Sequence, residues 1–169
     1  MKYPFSIRAL HWLMALIMFG MLISGFVADE LPDELKLSII KLHKSFGITL
    51  LILAAIRVAI RLISAIPPLP ESIPLIQQKL AKLGHAALYA LFFIMPLSGY
   101  LMSNYAGYPA TLFNIDLPRL VEKNKELGHF FGETHETLAF VIIGVLIAHI
   151  GAVFVHYRRE KINLMNRIL

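Results

Sequence analysis

The sequence predicts an all-α integral membrane protein, an antiparallel four-helix bundle, and three observations lead there. Of 169 residues, 57% are hydrophobic and only 16% charged, and the mean hydropathy of +0.68 exceeds that of ordinary soluble domains. Four stretches, residues 7–27, 40–63, 83–103 and 134–155, are apolar over the about 20 residues a helix needs to cross a bilayer. Basic residues are also shared unequally between the connecting segments. The N-terminus, the loop between spans two and three with its flanks, and the C-terminal tail carry ten basic residues against two acids, Glu71 and Glu160. The opposite side carries six basic residues against nine acids. By the positive-inside rule both termini are expected in the cytoplasm, with the spans alternating in direction through the membrane lipid.

The chain is short enough to be one unit, residues 1–169, and its elements follow in order. The first span starts behind Lys2 and Arg8, as a signal peptide does. Its apolar run is longer than the about 7–15 residues of a signal h-region and no clear A-x-A site precedes Asp29, so a retained span is expected. The second span opens at Leu42-His43-Lys44. The loop after it holds Pro67, Pro68, Pro70 and Pro74, which cannot continue either neighbouring helix, and Leu75 to Lys82 is expected to form a short interfacial helix. In the third span, Pro96 followed by Gly99 is expected to kink the helix and admit a neighbour or ligand. The outer loop, from Thr111 to Glu136, is acidic, and the fourth span follows it.

Composition also excludes chemistry. With no cysteine, the chain has no disulfide, no thiolate-held iron–sulfur cluster and no covalent c-type haem, so a redox metal must rest on histidine, methionine or carboxylate. The pI near 9.6 follows from the charge asymmetry across the membrane, and nucleic acid is not expected as a partner.

Six of the seven histidines, His11, His43, His85, His135, His149 and His156, lie in or at the edge of a span, while His129 falls in the outer loop. A lone membrane histidine often only bonds a neighbouring helix; the set is more informative. His135 and His149 are 14 residues apart, which places them about 21 Å apart along a helix and about 40° apart around it. One face thus presents imidazoles at two depths. His43 begins span two at the level of His135, and His11 lies in the same half of the membrane as His149. Such crossing pairs suit haem iron with two axial imidazoles from facing helices. Zinc would want three or four ligands at one depth, and a proton relay would want carboxylates within the spans, where mid-span Asp and Glu are absent.

Arg57 follows His43 by 14 residues and so shares its face near the depth of His149. A haem propionate would partner it; the alternative is that Arg57 and Arg61 extend to the inner surface. By depth alone, His85 and His156 compete with His11 as inner ligands. His156, seven residues beyond His149, also suits a propionate or a quinone. Met14, Met18, Met95 and Met102 are read as packing residues.

His11-Trp12, Leu42-His43-Lys44, Gly84-His85 with Pro96-Leu97-Ser98-Gly99, and Thr134-His135-Glu136-Thr137 with His149 together resemble the bacterial cytochrome b561 family. They are similar also to the cytochrome b subunits of nickel–iron hydrogenases and formate dehydrogenases. The resemblance implies two non-covalent b haems, the outer on His43 and His135 and the inner on His11 and His149. It further implies ubiquinone as acceptor near the inner haem and, in stand-alone members, superoxide oxidation at the outer face. Lys41 and Lys44, with Lys36 nearby, flank His43 and are expected to attract a small anion to the outer haem; the alternative is that Asp33, Glu34, Glu133 and Glu136 neutralise them. A periplasmic redox protein docked on the acidic loop is the other expected electron donor. Ser72, Gln77 and His156 are candidate quinone contacts.

Overall fold

In the computed structural model, which describes residues 2–68, 70, 72–159 and 161–169, four long helices account for most of the chain. They are α1 (Phe5–Val27), α2 (Asp33–Ile63), α3 (Leu75–Tyr105) and α4 (Lys125–Arg159), and all four are long and apolar enough to cross a membrane. Each is longer than its apolar run, because polar flanking turns continue the helix: α2 begins seven residues before the expected span and α4 nine. Leu75 to Lys82, expected as a separate interfacial helix, is the first part of α3. His129, expected in a loop, sits on α4, exposed and 3.3 Å from Glu133 one turn on. Glu71 and Glu160, the two acids counted on the basic side, lie outside the described residues.

Prolines mark where the first three helices begin. Pro4, Pro32 and Pro74 immediately precede α1, α2 and α3 with φ between −50° and −55°. A missing N–H costs nothing at a position with no intrahelical acceptor. Asp33 and Glu34 in the first turn of α2, and Arg158 and Arg159 in the last turn of α4, match the sign of the helix dipole at those ends.

The bundle is built as two antiparallel pairs. The backbones of α3 and α4 pack most extensively, then α1 with α2, and α2 with α3 joins the pairs. A small apolar cluster fills the middle, with Met14, Met18, Leu50, Ala54, Leu91 and Ile142 buried. Many large apolar side chains, Leu16, Ile23, Leu62 and Ile147 among them, point outward, as lipid-facing positions do.

The two ends are closed differently. At one end a two-residue hairpin, β1 (Thr111–Leu112) with β2 (Ile115–Asp116), lies against α2. Its turn forces Phe113 to a φ of 55°, an unfavourable region for a bulky side chain. Two contacts from α2 hold it there: Phe113 N–H donates to buried Ser45 Oγ at 2.8 Å, and its ring stands edge-on to Phe46 at 5.6 Å. Asn104, fully buried, accepts from Leu120 N–H and donates to the Tyr100 carbonyl, tying the following loop to α3. At the other end the C-terminal segment folds back. Tyr3 N–H donates to the Arg167 carbonyl at 2.9 Å, Trp12 Nε1 to Ile168 at 3.0 Å, and Arg167 to the Pro67 carbonyl at 2.6 Å. Ser45→Ala should therefore free the hairpin, costing roughly 1 kcal/mol locally. The check is faster amide exchange at Phe113 with exchange in the middle of α2 unchanged.

Candidate functional site: two tiers of histidines

All four helices build the tier at the hairpin end. His43 from α2 and His135 from α4 stand with ring centres 6.2 Å apart and planes at 72°. His43 Nδ1 lies 2.9 Å from Ser24 Oγ on α1, and that hydroxyl donates to the Met21 carbonyl at 3.0 Å. His135 Nδ1 lies 3.0 Å from Ser98 Oγ on α3 and 3.2 Å from the Met95 carbonyl, to which the Ser98 hydroxyl also donates, at 2.7 Å. Each serine proton is thus committed to a carbonyl, so each serine oxygen accepts from an imidazole N–H. Both rings therefore carry their proton on Nδ1 and keep a lone pair on Nε2.

A glycine follows each serine, and the space it leaves is used. A Cβ on Gly99 would come within 2.8 Å of His135 Cε1, and one on Gly25 within 3.4 Å of His43 Cε1. Ser24-Gly25 on α1 and Ser98-Gly99 on α3 are thus similar seats: in both a hydroxyl receives the ring's N–H, and at Gly99 a missing side chain also admits the ring, whereas a Cβ at Gly25 would only touch His43.

The tier at the termini end holds three rings. His11 from α1 and His149 from α4 are 6.3 Å apart with planes at 60°, and His85 from α3 is 5.6 Å from His149 at 64°. None of these three rings makes a hydrogen bond within the described residues. Arg57 of α2 reaches between α1 and α3, donating through Nε to Tyr89 Oη at 3.3 Å and through a terminal nitrogen to the Ile7 carbonyl at 3.2 Å. Ile7 and Tyr89 are one turn from His11 and His85. The arginine therefore brings its charge to this tier on neutral acceptors rather than reaching past it to the surface. Arg61 lies over the Tyr89 ring at 5.9 Å. Three residues before His11, Arg8 has a buried Nε with no hydrogen-bond partner among the described residues.

The expected pairs, His43 with His135 and His11 with His149, are brought together, and His85 joins the second. His156 lies two turns beyond His149, buried, its carbonyl accepting from Ile162. Lys41 is exposed and Lys44 half-buried beside His43, neither in an ion pair within the described residues, whereas Lys36 is bound to Asp29 at 2.7 Å. The acids expected to balance Lys41 and Lys44 make no such bridge to them. No group of three or more histidine, aspartate or glutamate side chains is arranged to hold a free metal ion among the described residues. From the sequence Arg8 is only a basic flank of the first span and Tyr89 only an interfacial tyrosine, while Ser24 carries no expected role. The signal for the serines was present in the Ser-Gly dipeptide repeated near the same end of spans one and three.

At the termini end, a cavity of about 170 Å³ lies beside this tier, lined by Tyr3, Arg61, Ile66, Pro67, Pro68, Ala81, Lys82 and His85. Ser72, Gln77 and His156, expected as quinone contacts, are not in its lining.

Comparison with known proteins places the chain in a family. The prokaryotic cytochrome b561 family matches residues 2–169. Cytochrome b561 homolog 2 of Escherichia coli K12 is 34% identical over 99% of this chain and 91% of its own length. A probable superoxide oxidase CybB of Yersinia pestis is 27% identical over 99% of this chain and 96% of its own. The chain belongs to the prokaryotic cytochrome b561 family and is a multi-pass bacterial membrane protein of electron transfer, with the b-type haem that membership implies.

Proposed function

We propose that the protein holds two b haems and is a superoxide:ubiquinone oxidoreductase, with the hairpin end in the periplasm and both termini in the cytoplasm. The observation that carries this reading is the spacing of the two histidine pairs. An iron between two imidazoles needs ring centres about 6.2 Å apart, given a metal–nitrogen bond of about 2.0 Å and about 1.1 Å from nitrogen to ring centre. The pairs stand at 6.2 Å and 6.3 Å. His85 and His149, at 5.6 Å, fall short of that spacing, which favours His11 as the partner of His149.

Further features fit the group. α4 approaches α3 closely but not α1 or α2, so both pairs span the wider separations, where a flat macrocycle has room. At the hairpin end the tautomers leave Nε2 of both rings unprotonated, as iron ligation requires. At the termini end, the unpartnered Arg8 Nε and the Arg57 guanidinium suit the carboxylates of haem propionates. Bis-imidazole haem supplies one-electron chemistry without an open coordination position.

The reaction balances as two superoxide anions each giving one electron and leaving as dioxygen, while ubiquinone takes two electrons and two protons. Lys41 and Lys44, in no ion pair among the described residues, favour a small anionic donor beside His43. The cavity beside His85 is the size of one ring with its substituents and is the place proposed for the quinone head.

A second reading has one observation in its favour. Tyr108, Ile115 and Leu120 are largely exposed around the hairpin, an apolar surface suited to a periplasmic dehydrogenase or hydrogenase that would deliver electrons in place of superoxide.

Three outcomes test these proposals. Replacing His135 or His149 by alanine should lower the haem content of purified protein from two per chain to one, read from the reduced-minus-oxidised spectrum; two haems retained in both variants would overturn the ligand assignment. Gly99→Ala should push His135 from its seat and lower occupancy of the hairpin-end haem several-fold, leaving the other intact. Superoxide should drive quinone reduction by the isolated protein, and reversing the charge of both Lys41 and Lys44 should slow it about 10-fold or more at low salt. Inertness towards superoxide, with a larger redox protein co-purifying, would instead establish the second reading.

A further inference from the structure

The two tiers treat their histidines differently, and from this we infer that Ser24 and Ser98 are positioning residues that hold the hairpin-end haem at a lower potential than the termini-end haem. Electrons then run downhill from the hairpin end to the termini end. The inference rests on the two-haem reading above and adds the source of direction.

At the hairpin end both Nδ1–H groups donate to serine oxygens, at 2.9 Å and 3.0 Å. A hydrogen bond donated at Nδ1 moves electron density towards Nε2 and makes that nitrogen a stronger donor to iron. The ferric form gains more than the ferrous, so the potential falls. Each serine hydroxyl is itself polarised by donating to a backbone carbonyl, Met21 or Met95, which strengthens it as an acceptor. The bond also helps fix how each ring is rotated, and at Gly99 the missing side chain leaves the place that the His135 ring edge occupies.

At the termini end the opposite conditions hold. The rings of His11, His85 and His149 make no hydrogen bond within the described residues, so no acceptor among those residues enriches their Nε2. Arg57, bound to Ile7 and Tyr89, places a fixed positive charge one turn from His11 and His85, and Arg8 adds a second three residues before His11. Set against the propionate carboxylates, this positive charge cancels negative charge that would favour the ferric state, and in a medium of low dielectric the potential rises. Both differences act in the same direction.

The two seats are unequal, which gives the inference a graded consequence. His43 depends on Ser24 alone, whereas His135 keeps the Met95 carbonyl as a second acceptor when Ser98 is removed. In a spectroscopic redox titration of haem-loaded protein, Ser24→Ala should move the lower-potential transition upward. A tenfold change in the ratio of reduced to oxidised haem is expected, about 59 mV for one electron. Ser98→Ala should move it the same way by less, and Ser24→Thr, which keeps a hydroxyl, should restore it; the higher transition should stay in place throughout. If Ser24→Ala loses its haem, the smaller shift in Ser98→Ala remains the measure. Two haems with unmoved potentials, or movement of the upper transition alone, would overturn the inference while the two-haem reading stands. A wild-type protein with fewer than two haems would end the two-haem reading itself.

Discussion

A neutral imidazole inside a membrane has one N–H and one lone pair, and with no water available both must find a partner in protein or ligand. The surroundings of His43 and His135 follow from this constraint. At the hairpin end the N–H of each ring is used by a serine on the neighbouring helix, so α1 supports a histidine of α2 and α3 supports one of α4. The lone pairs are left for a group that the four helices do not themselves provide, and the b-type haem that family membership implies is the group proposed for them. The same constraint accounts for serine and glycine in otherwise apolar spans: a larger residue at Gly99 would occupy the ring's place.

Between the tiers the protein reverts to ordinary packing. Met14, Met18, Leu50, Ala54, Leu91 and Ile142 all lie, along their helices, between the two levels of histidine, and they form the buried cluster. Little else in the spans is buried, because lipid solvates apolar side chains as well as a protein interior does, and helices gain from meeting only where shape or polar contacts require it. The backbones therefore close tightly within the pairs α1–α2 and α3–α4, while histidine rings link α4 to α1 and α2.

The ends of the bundle have different tasks. The hairpin end is pinned by buried polar contacts at Ser45 and Asn104, which hold short loops over α2 and α3. At the other end the tail, the first residues of α1 and the proline-rich loop meet around Arg167, whose guanidinium also lies over the Tyr3 ring at 5.3 Å. Charge divides the same way. Arg8, Arg57 and Arg61 gather near the tier beside the termini, and the hairpin-end tier has lysines only at its rim.

Number, order and approximate extent of the spans were legible in the sequence, and so were the two depths of histidine, because both rest on local geometry. A helix rises by a constant amount per residue, so His135 and His149 had to lie two levels apart on one face whatever surrounded them. The helix ends were less legible: polar turns such as Asp33 to Ser38 and Lys125 to Glu133 continue a helix without any apolar signal. What only the tertiary structure decided is how each helix is turned about its own axis and which neighbour it meets. That brought His85 within reach of His149, set Arg57 on Tyr89 and Ile7, and placed Ser24 and Ser98 under the rings of histidines 19 and 37 residues away. Such contacts depend on side chains far apart in the chain, and no periodicity within a single span specifies them.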